Sequence, residues 1–235
     1  MTMLGELQSL NASAVHAINK EEYQDAVDVL RVMLSRLSGC VLDPTPFPTR
    51  EGSSFSTSTG AIAHQGSCSL VIQEFQTIKD FPSAMNGDFS FYPFVVESPK
   101  AGDDNDASLS ELEHAIFTVS ALFNLGLCFH LEWIKCDKLH AYLLHGALHY
   151  YEEAYGIARD HLQLLKSDDQ ILRVLLALCT NAAHCHSELA HTPLVLFWCT
   201  QIQRILSFAK PHMRSDFFKR VAFFYSMPSL SAPAA

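Results

Sequence analysis

Ile116-Phe-Thr-Val-Ser-Ala-Leu-Phe-Asn-Leu-Gly-Leu-Cys-Phe-His130 decides the fold class. Ile116, Val119, Leu122, Phe123, Gly126, Leu127 and His130 recur three or four positions apart, which keeps one helical face over several turns. Just upstream, Ser108 with Glu111 and Ser110 with Glu113 have capping-box spacing, so a helix start is expected there. Downstream, a second helix is expected from about Leu139 to Leu165. A further one, opened by Ser167 with Gln170, runs to about Ala190. Thr192-Pro193 supplies an N-cap with proline at the first helical position, and that helix ends before Pro211. A short helix, Asp216 to Tyr225, precedes a Pro/Ser/Ala tail at 227–235 that is expected to fray.

Toward the N-terminus, Leu7 to Leu37 carries the same spacing in two blocks: Ala14, Ala17 and Ile18, then Ala26, Val29, Leu30 and Met33. The polar run Asn19 to Glu22 separates them, which predicts an αα-hairpin over residues 1–39. Residues 40–107 have another character. Asp43-Pro-Thr-Pro-Phe-Pro48 cannot be helical, because proline lacks an amide donor and restricts the residue before it. Ser53 to Gly60 is rich in Ser, Thr and Gly, and Ala101 to Asp106 is an acidic linker. Between them Phe89-Ser-Phe-Tyr-Pro-Phe-Val-Val96 is aromatic and β-branched, so an extended segment at 88–97, apolar enough to be buried, is expected inside an otherwise irregular insert.

Composition narrows the function classes. Hydrophobic residues make up 49% of 235 and charged residues 17%, which supports one core rather than a disordered chain. Net charge is −9, and only 16 Lys and Arg are scattered along the chain. Nucleic acid and anionic membrane surfaces are bound by clustered cations, so neither is an expected partner. Seven cysteines at irregular spacing, most within apolar helical patterns, fit a reducing compartment rather than a disulfide scaffold. Charged residues interrupt any signal-peptide pattern at the N-terminus. The stretch read as most apolar, Leu194 to Leu206, is too short to span a bilayer, which takes about 20 apolar residues. The expected location is cytoplasmic, with the nucleus as the alternative.

Three places resemble the tetratricopeptide repeat, in which small residues sit where two antiparallel helices cross closely and large ones fill the gaps. In Phe123-Asn-Leu-Gly-Leu-Cys-Phe129, Gly126 takes the Gly place and Phe129 the Tyr place, and Ala147, Tyr151 and Ala154 form the small–large–small set of the next helix. That repeat is long, with an insertion around Leu131 to Lys138 or a longer helix. In the N-terminal block Ala14 takes the Gly place, Ala17 the Tyr place, Tyr23-Gln-Asp-Ala26 the turn and first small residue, and Leu30 the large one. In Thr180-Asn-Ala-Ala-His-Cys-His-Ser-Glu-Leu189, Ala183 takes the Gly place, followed by Val195, Cys199 and Ile202. The family's Trp, Leu, Tyr and Pro are not kept in this third match.

The resemblance implies an all-α, antiparallel helix-hairpin array (a TPR-like α-solenoid) carrying a long irregular insertion, as one domain over 1–235 with further hairpins at 108–226. It also implies a mechanism. First helices line a concave groove that holds a partner peptide or helix. The groove-facing candidates are Asn124 and His130 in the middle repeat, and Asn181, His184 and Glu188 in the third. Asn124 and Asn181 occupy equivalent places, where an amide suits a partner's backbone or carboxylate; the alternative is that they bond local backbone. Basic residues that would clamp an acidic C-terminus are missing, so an apolar or mixed-polarity ligand is expected. The Phe89–Val96 segment is open to two readings, a buried connection or an internal ligand lying in the groove.

Catalytic and metal signatures are absent from the sequence. There is no phosphate-binding glycine loop, no G-x-S-x-G and no H-E-x-x-H. Asp103-Asp-Asn-Asp106 lacks the central Gly and closing Glu of a calcium loop. His184 and His186, two apart on a helix, point about 200° apart and do not suit one ion. His145 and His149, one turn apart, suit it better, and Cys136 and His140 could join them if the insertion folds back. A zinc ion wants four ligands in tetrahedral array, and no third clear ligand is at hand. The expectation is a protein-interaction scaffold with no cofactor and no metal, not an enzyme. Two alternatives are kept: a metal-dependent regulator or enzyme with a site near the insert or His140–His149, and a structural subunit of a larger complex.

Overall fold

The computed structural model describes residues 2–38, 69–72, 93–97, 109–160 and 169–208. Six helices form most of it: α1 (Met3–Asn19), α2 (Tyr23–Ser38), α3 (Glu111–Lys135), α4 (Ala141–Asp160), α5 (Asp169–Glu188) and α6 (Thr192–Phe208). From the insert come two strands, β1 (Ser69–Ile72) and β2 (Phe94–Glu97). They pair antiparallel, with Leu70 opposite Val96 and Ile72 opposite Phe94. The described residues are mostly helical, in keeping with the all-α expectation, and the ribbon is a small addition from the insert. The extended segment around Phe94 is legible in the sequence, whereas its four-residue partner at 69–72 is too short to show a period. The remainder of 40–107, Ser108, the cap at Ser167, the helix expected at 216–225 and the tail at 227–235 lie outside the described residues.

Local chemistry sets the helix ends. Ser110 Oγ accepts the Glu113 amide at 3.2 Å while Glu113 Oε2 accepts the Ser110 amide at 2.9 Å, a closed capping box that starts α3. Thr2 caps α1 by accepting the Gly5 amide at 3.3 Å, so that helix begins at Met3, earlier than Leu7. Thr192 is the first helical residue of α6 rather than its cap, and the His191 carbonyl accepts the amides of Leu194 and Val195 at 2.9 and 3.1 Å.

All three hairpin turns end their first helix in the same way. Glu22 N–H bonds Ala17 C=O and Glu21 N–H bonds Ile18 C=O; Lys138 bonds Trp133 and Asp137 bonds Ile134; His191 bonds His186 and Ala190 bonds Ser187, all at 2.9–3.2 Å. Each is a Schellman motif, whose central residue takes a left-handed backbone. Those residues are Glu21 (φ 61°), Asp137 (φ 51°) and Ala190 (φ 58°), none of them glycine. From Ala14 to Glu21 and from Ala183 to Ala190 the chain counts seven positions, but eleven from Gly126 to Asp137. The wider spacing between Gly126 and Ala147 comes first from a longer helix, since four residues add about one turn to α3. The rest of the excess lies in the longer turn and the start of α4.

Each helix packs on the next in sequence, α1 through α6. Glycine sets the closest crossing. A Cβ on Gly126 would stand 2.6 Å from the Tyr151 ring, and one on Gly146 would stand 2.9 Å from the Phe129 ring. The two rings and two glycines therefore interlock α3 with α4. Ala14, Ala26, Leu30, Ala147, Tyr151, Ala154, Ala183, Val195, Cys199 and Ile202 are all buried. One helix among the described residues, α3, is long and apolar enough to cross a membrane, and most of it is buried inside the chain. It packs between α2 and α4 and also touches α1 and β2.

Candidate functional site

Buried Asn, Ser, Thr and His side chains among the described residues fall only on α1, α3 and α5: Asn11, then Ser120, Asn124 and His130, then Thr180, Asn181 and His186. The second helices α2, α4 and α6 bury none of that class. A buried polar group is costly unless bonded, so this concentration on the first helices calls for an explanation. The ribbon lies along the same helices, β2 against α1 and α3 and β1 against α5.

Asn124 meets β2 with both ends of its amide. Its Oδ1 accepts the Phe94 N–H at 2.8 Å and its Nδ2 donates to the Phe94 C=O at 2.9 Å. In a strand the N–H and C=O of one residue point to the same side. Both groups of Phe94 therefore point away from β1, and Asn124 stands where a further strand would pair. Asn11 repeats half of this two residues on, its Oδ1 accepting the Val96 N–H at 3.0 Å. Its Nδ2 is buried without a hydrogen-bond partner among the described residues. The Phe94 ring, fully buried, lies on Phe123 with centroids 4.1 Å apart, and Phe123 in turn meets Tyr151 at 5.8 Å. An extended chain is thus held by its backbone and by one aromatic anchor.

Beyond Tyr151 runs a continuous polar chain. Asn181 Nδ2 donates to Tyr151 Oη at 3.2 Å; Tyr151 Oη lies 3.3 Å from His130 Nδ1; His130 Nε2 lies 2.9 Å from His184 Nδ1; His184 Nε2 lies 3.5 Å from Glu188 Oε1. Lys138 Nζ closes it at 2.9 Å from Glu188 Oε1. The His184 hydrogen bond first, and then Lys138, hold the Glu188 carboxyl down to about 2, so it is an ionised acceptor at neutral pH. His184 therefore donates to it through Nε2, while the directions of the bonds joining His184, His130 and Tyr151 follow the tautomers of the two imidazoles. Burial, then the neighbouring His184 and Lys138, push the His130 pKa well down, which keeps this imidazole neutral.

No protein family, curated protein or solved structure matches the chain.

The chemistry of the other clusters is limited. His186 Nε2 lies 3.1 Å from Glu152 Oε1 and its Nδ1 lies 3.2 Å from His191 Nδ1, so His186 points away from the chain that holds His184. His145 approaches His191 only by its ring, at 6.4 Å, and His149 pairs with Glu153 at 3.5 Å. Among the described residues no three His, Cys, Asp or Glu side chains are placed to share a metal ion. Cys185 Sγ lies 3.7 Å from His130 Nδ1, but burial first, and then Glu188, push its thiol pKa well up. A thiol kept protonated is no nucleophile.

Of the five candidate residues, four converge. His130, Asn181, His184 and Glu188 form the polar chain with Tyr151 and Lys138, and His130 and Asn181 are wholly buried. Asn124 stands apart from them and holds β2. Sequence reasoning missed Asn11. Its signal was available: Leu7, Asn11, Ala14 and Ile18 share one helical face, where Asn11 is the polar exception.

Proposed function

We propose that the chain is a divergent tetratricopeptide-like helix-hairpin array whose first helices bind an extended segment of protein. In this reading α1, α3 and α5 line a concave groove, the chain works as a scaffold or adaptor in the cytoplasm or nucleus, and it carries no reaction and no cofactor. The observation that carries it is the paired grip of Asn124 on both backbone groups of Phe94. A side-chain amide that reads backbone holds an extended chain without demanding a particular sequence, which suits a module that binds peptides. Support also comes from the burial of Asn, Ser, Thr and His side chains on first helices, from the shared Schellman turns, and from the buried small and large residues at the positions the resemblance assigns.

Affinity capture from the native lysate with the tagged full chain is the test. A protein recovered in stoichiometric amount at physiological salt is expected. If none is retained by the folded chain, the scaffold reading fails. A second reading, a subunit of a larger complex, draws on α6, where Leu194, Leu196 and Phe197 are exposed. Sedimentation would then show an assembly that loosens when Phe197 becomes Asp.

A further inference from the structure

The scaffold reading leaves open what enters the groove, and β2 supplies the template. We propose that the α1–α3 face is a receptor site for an extended apolar segment of another protein, an aromatic residue followed two positions later by a β-branched one, and that β2 occupies this site as a resident ligand which the partner replaces. The inference rests on the reading given above.

Three observations point to a site built for a ligand rather than a fixed piece of core. First, the grip on β2 is made through backbone atoms by two buried asparagines on different helices, at Phe94 and Val96. The helix-facing edge of a buried strand needs partners for its N–H and C=O groups, and these two amides supply them through backbone alone, so an extended chain of another sequence would meet the same partners. Second, the resident segment fits incompletely. Asn124 uses both its donor and its acceptor, whereas Asn11, fully buried, uses only its acceptor, and its Nδ2 has no partner among the described residues. Ser120, one turn before Asn124 on the same face, likewise has a buried hydroxyl with no partner among them. A segment whose carbonyl met Asn11 Nδ2 would bond the site more completely than β2 does. Third, the side-chain socket is general. Phe94 lies on the Phe123 ring, a surface that accepts any aromatic, and Val96 is buried beside Asn11. The occupant is therefore uncharged at these two positions. β2 is four residues long and pairs only with β1 among the described residues. A lone two-stranded ribbon has little stability of its own, so the helices hold it in place.

The test uses the full chain and a fluorescent peptide with the sequence of residues 90–97, Ser-Phe-Tyr-Pro-Phe-Val-Val-Glu, followed by anisotropy. Val96→Pro deletes the amide that donates to Asn11 and leaves the receptor face untouched. Phe94→Ala removes the resident anchor by a second route. Each variant is expected to bind the added peptide at least tenfold more tightly than the wild-type chain does. Adding Asn124→Ala to either should reverse the gain, and a peptide with Asp at the Phe94 position should not bind. The proposal is overturned if neither variant gains affinity while circular dichroism shows the helices intact, or if the gain survives Asn124→Ala. It is equally overturned if both variants lose their helical spectrum, because β2 is then a permanent part of the core. Should Val96→Pro instead form a dimer that the peptide dissolves, the occupant is a second copy of the chain and not another protein. Lysate capture separates the two levels. Capture retained with no peptide gain removes the resident-ligand proposal alone, while loss of capture removes the scaffold reading beneath it.

Discussion

Asn124 does the work of a missing strand, and the cost of removing it follows from what it leaves behind. In Asn124→Ala the N–H and C=O of Phe94 remain buried with no partner. An orphaned buried group costs about 1–3 kcal/mol, so a loss of roughly 2–5 kcal/mol of unfolding free energy is expected in urea titrations. A change below about 1 kcal/mol would show that β2 is not held this way. Two glycines make a paired test of packing. Gly126→Ala drives a methyl group to 2.6 Å from the Tyr151 ring, which is itself fully buried and cannot swing away. Overpacking of that kind costs about 1–3 kcal/mol. Gly156→Ala, with nothing within 4 Å of the new methyl, should instead stabilise α4 by about 0.5–1 kcal/mol. Thermal melts of the two variants should move in opposite directions.

At the level of elements, the hairpin turns show what sequence displays and what it conceals. The Ser110–Glu113 cap was legible because a capping box has a fixed spacing, and the helix faces were legible because apolar residues repeat at the helical period. The extended character of Phe94 to Val96 was legible from its β-branched and aromatic residues. The Schellman turns were hidden, since their usual glycine is replaced by Glu21, Asp137 and Ala190. The pairing of β1 with β2 was hidden as well, because a bond between residues 70 and 96 leaves no local trace. The polar chain lay half in view. His130, Asn181, His184 and Glu188 stood out as polar residues on first helices, but their convergence on Tyr151 depends on helix packing that no single segment encodes. The concealed turns also carry a prediction. A left-handed backbone strains any residue with a Cβ by roughly 1 kcal/mol, and Ala190 has no side-chain hydrogen bond to offset it. Ala190→Gly should therefore raise the stability of the α5–α6 hairpin by about 0.5–1 kcal/mol, seen as a higher Tm. A lower Tm would mean that the alanine methyl makes contacts worth more than the strain.

Across the whole molecule, the polar chain joins α3, α4 and α5 through groups that titrate, and this makes stability depend on pH. His130 is buried and faces His184, Tyr151 and Cys185, with Lys138 adding like charge, so its folded pKa lies well below the ordinary value near 6.5. Above about pH 6.5 both the folded and unfolded states leave this imidazole neutral. Below it the unfolded chain takes up a proton that the folded chain refuses. Stability is therefore present above pH 6.5 and falls as pH drops toward the folded pKa, by up to about 1.4 kcal/mol per pH unit for this one group. Glu188 acts lower down. Its carboxyl is held at about 2 by His184 and then Lys138, so its contribution is present above the ordinary carboxylate pKa and is lost progressively as pH falls from there toward the folded value. The two windows separate the groups: a decline from pH 6.5 to 5 belongs to histidine, and one below pH 4.5 belongs to carboxylates. His130→Gln can still hydrogen-bond Tyr151 but takes no proton. Urea unfolding of wild type and His130→Gln at pH 8, 7, 6 and 5 should give slopes that differ by close to one proton in the lower interval, with the variant the flatter. Parallel slopes would mean that His130 carries its proton in the folded chain and that burial does not keep this imidazole neutral.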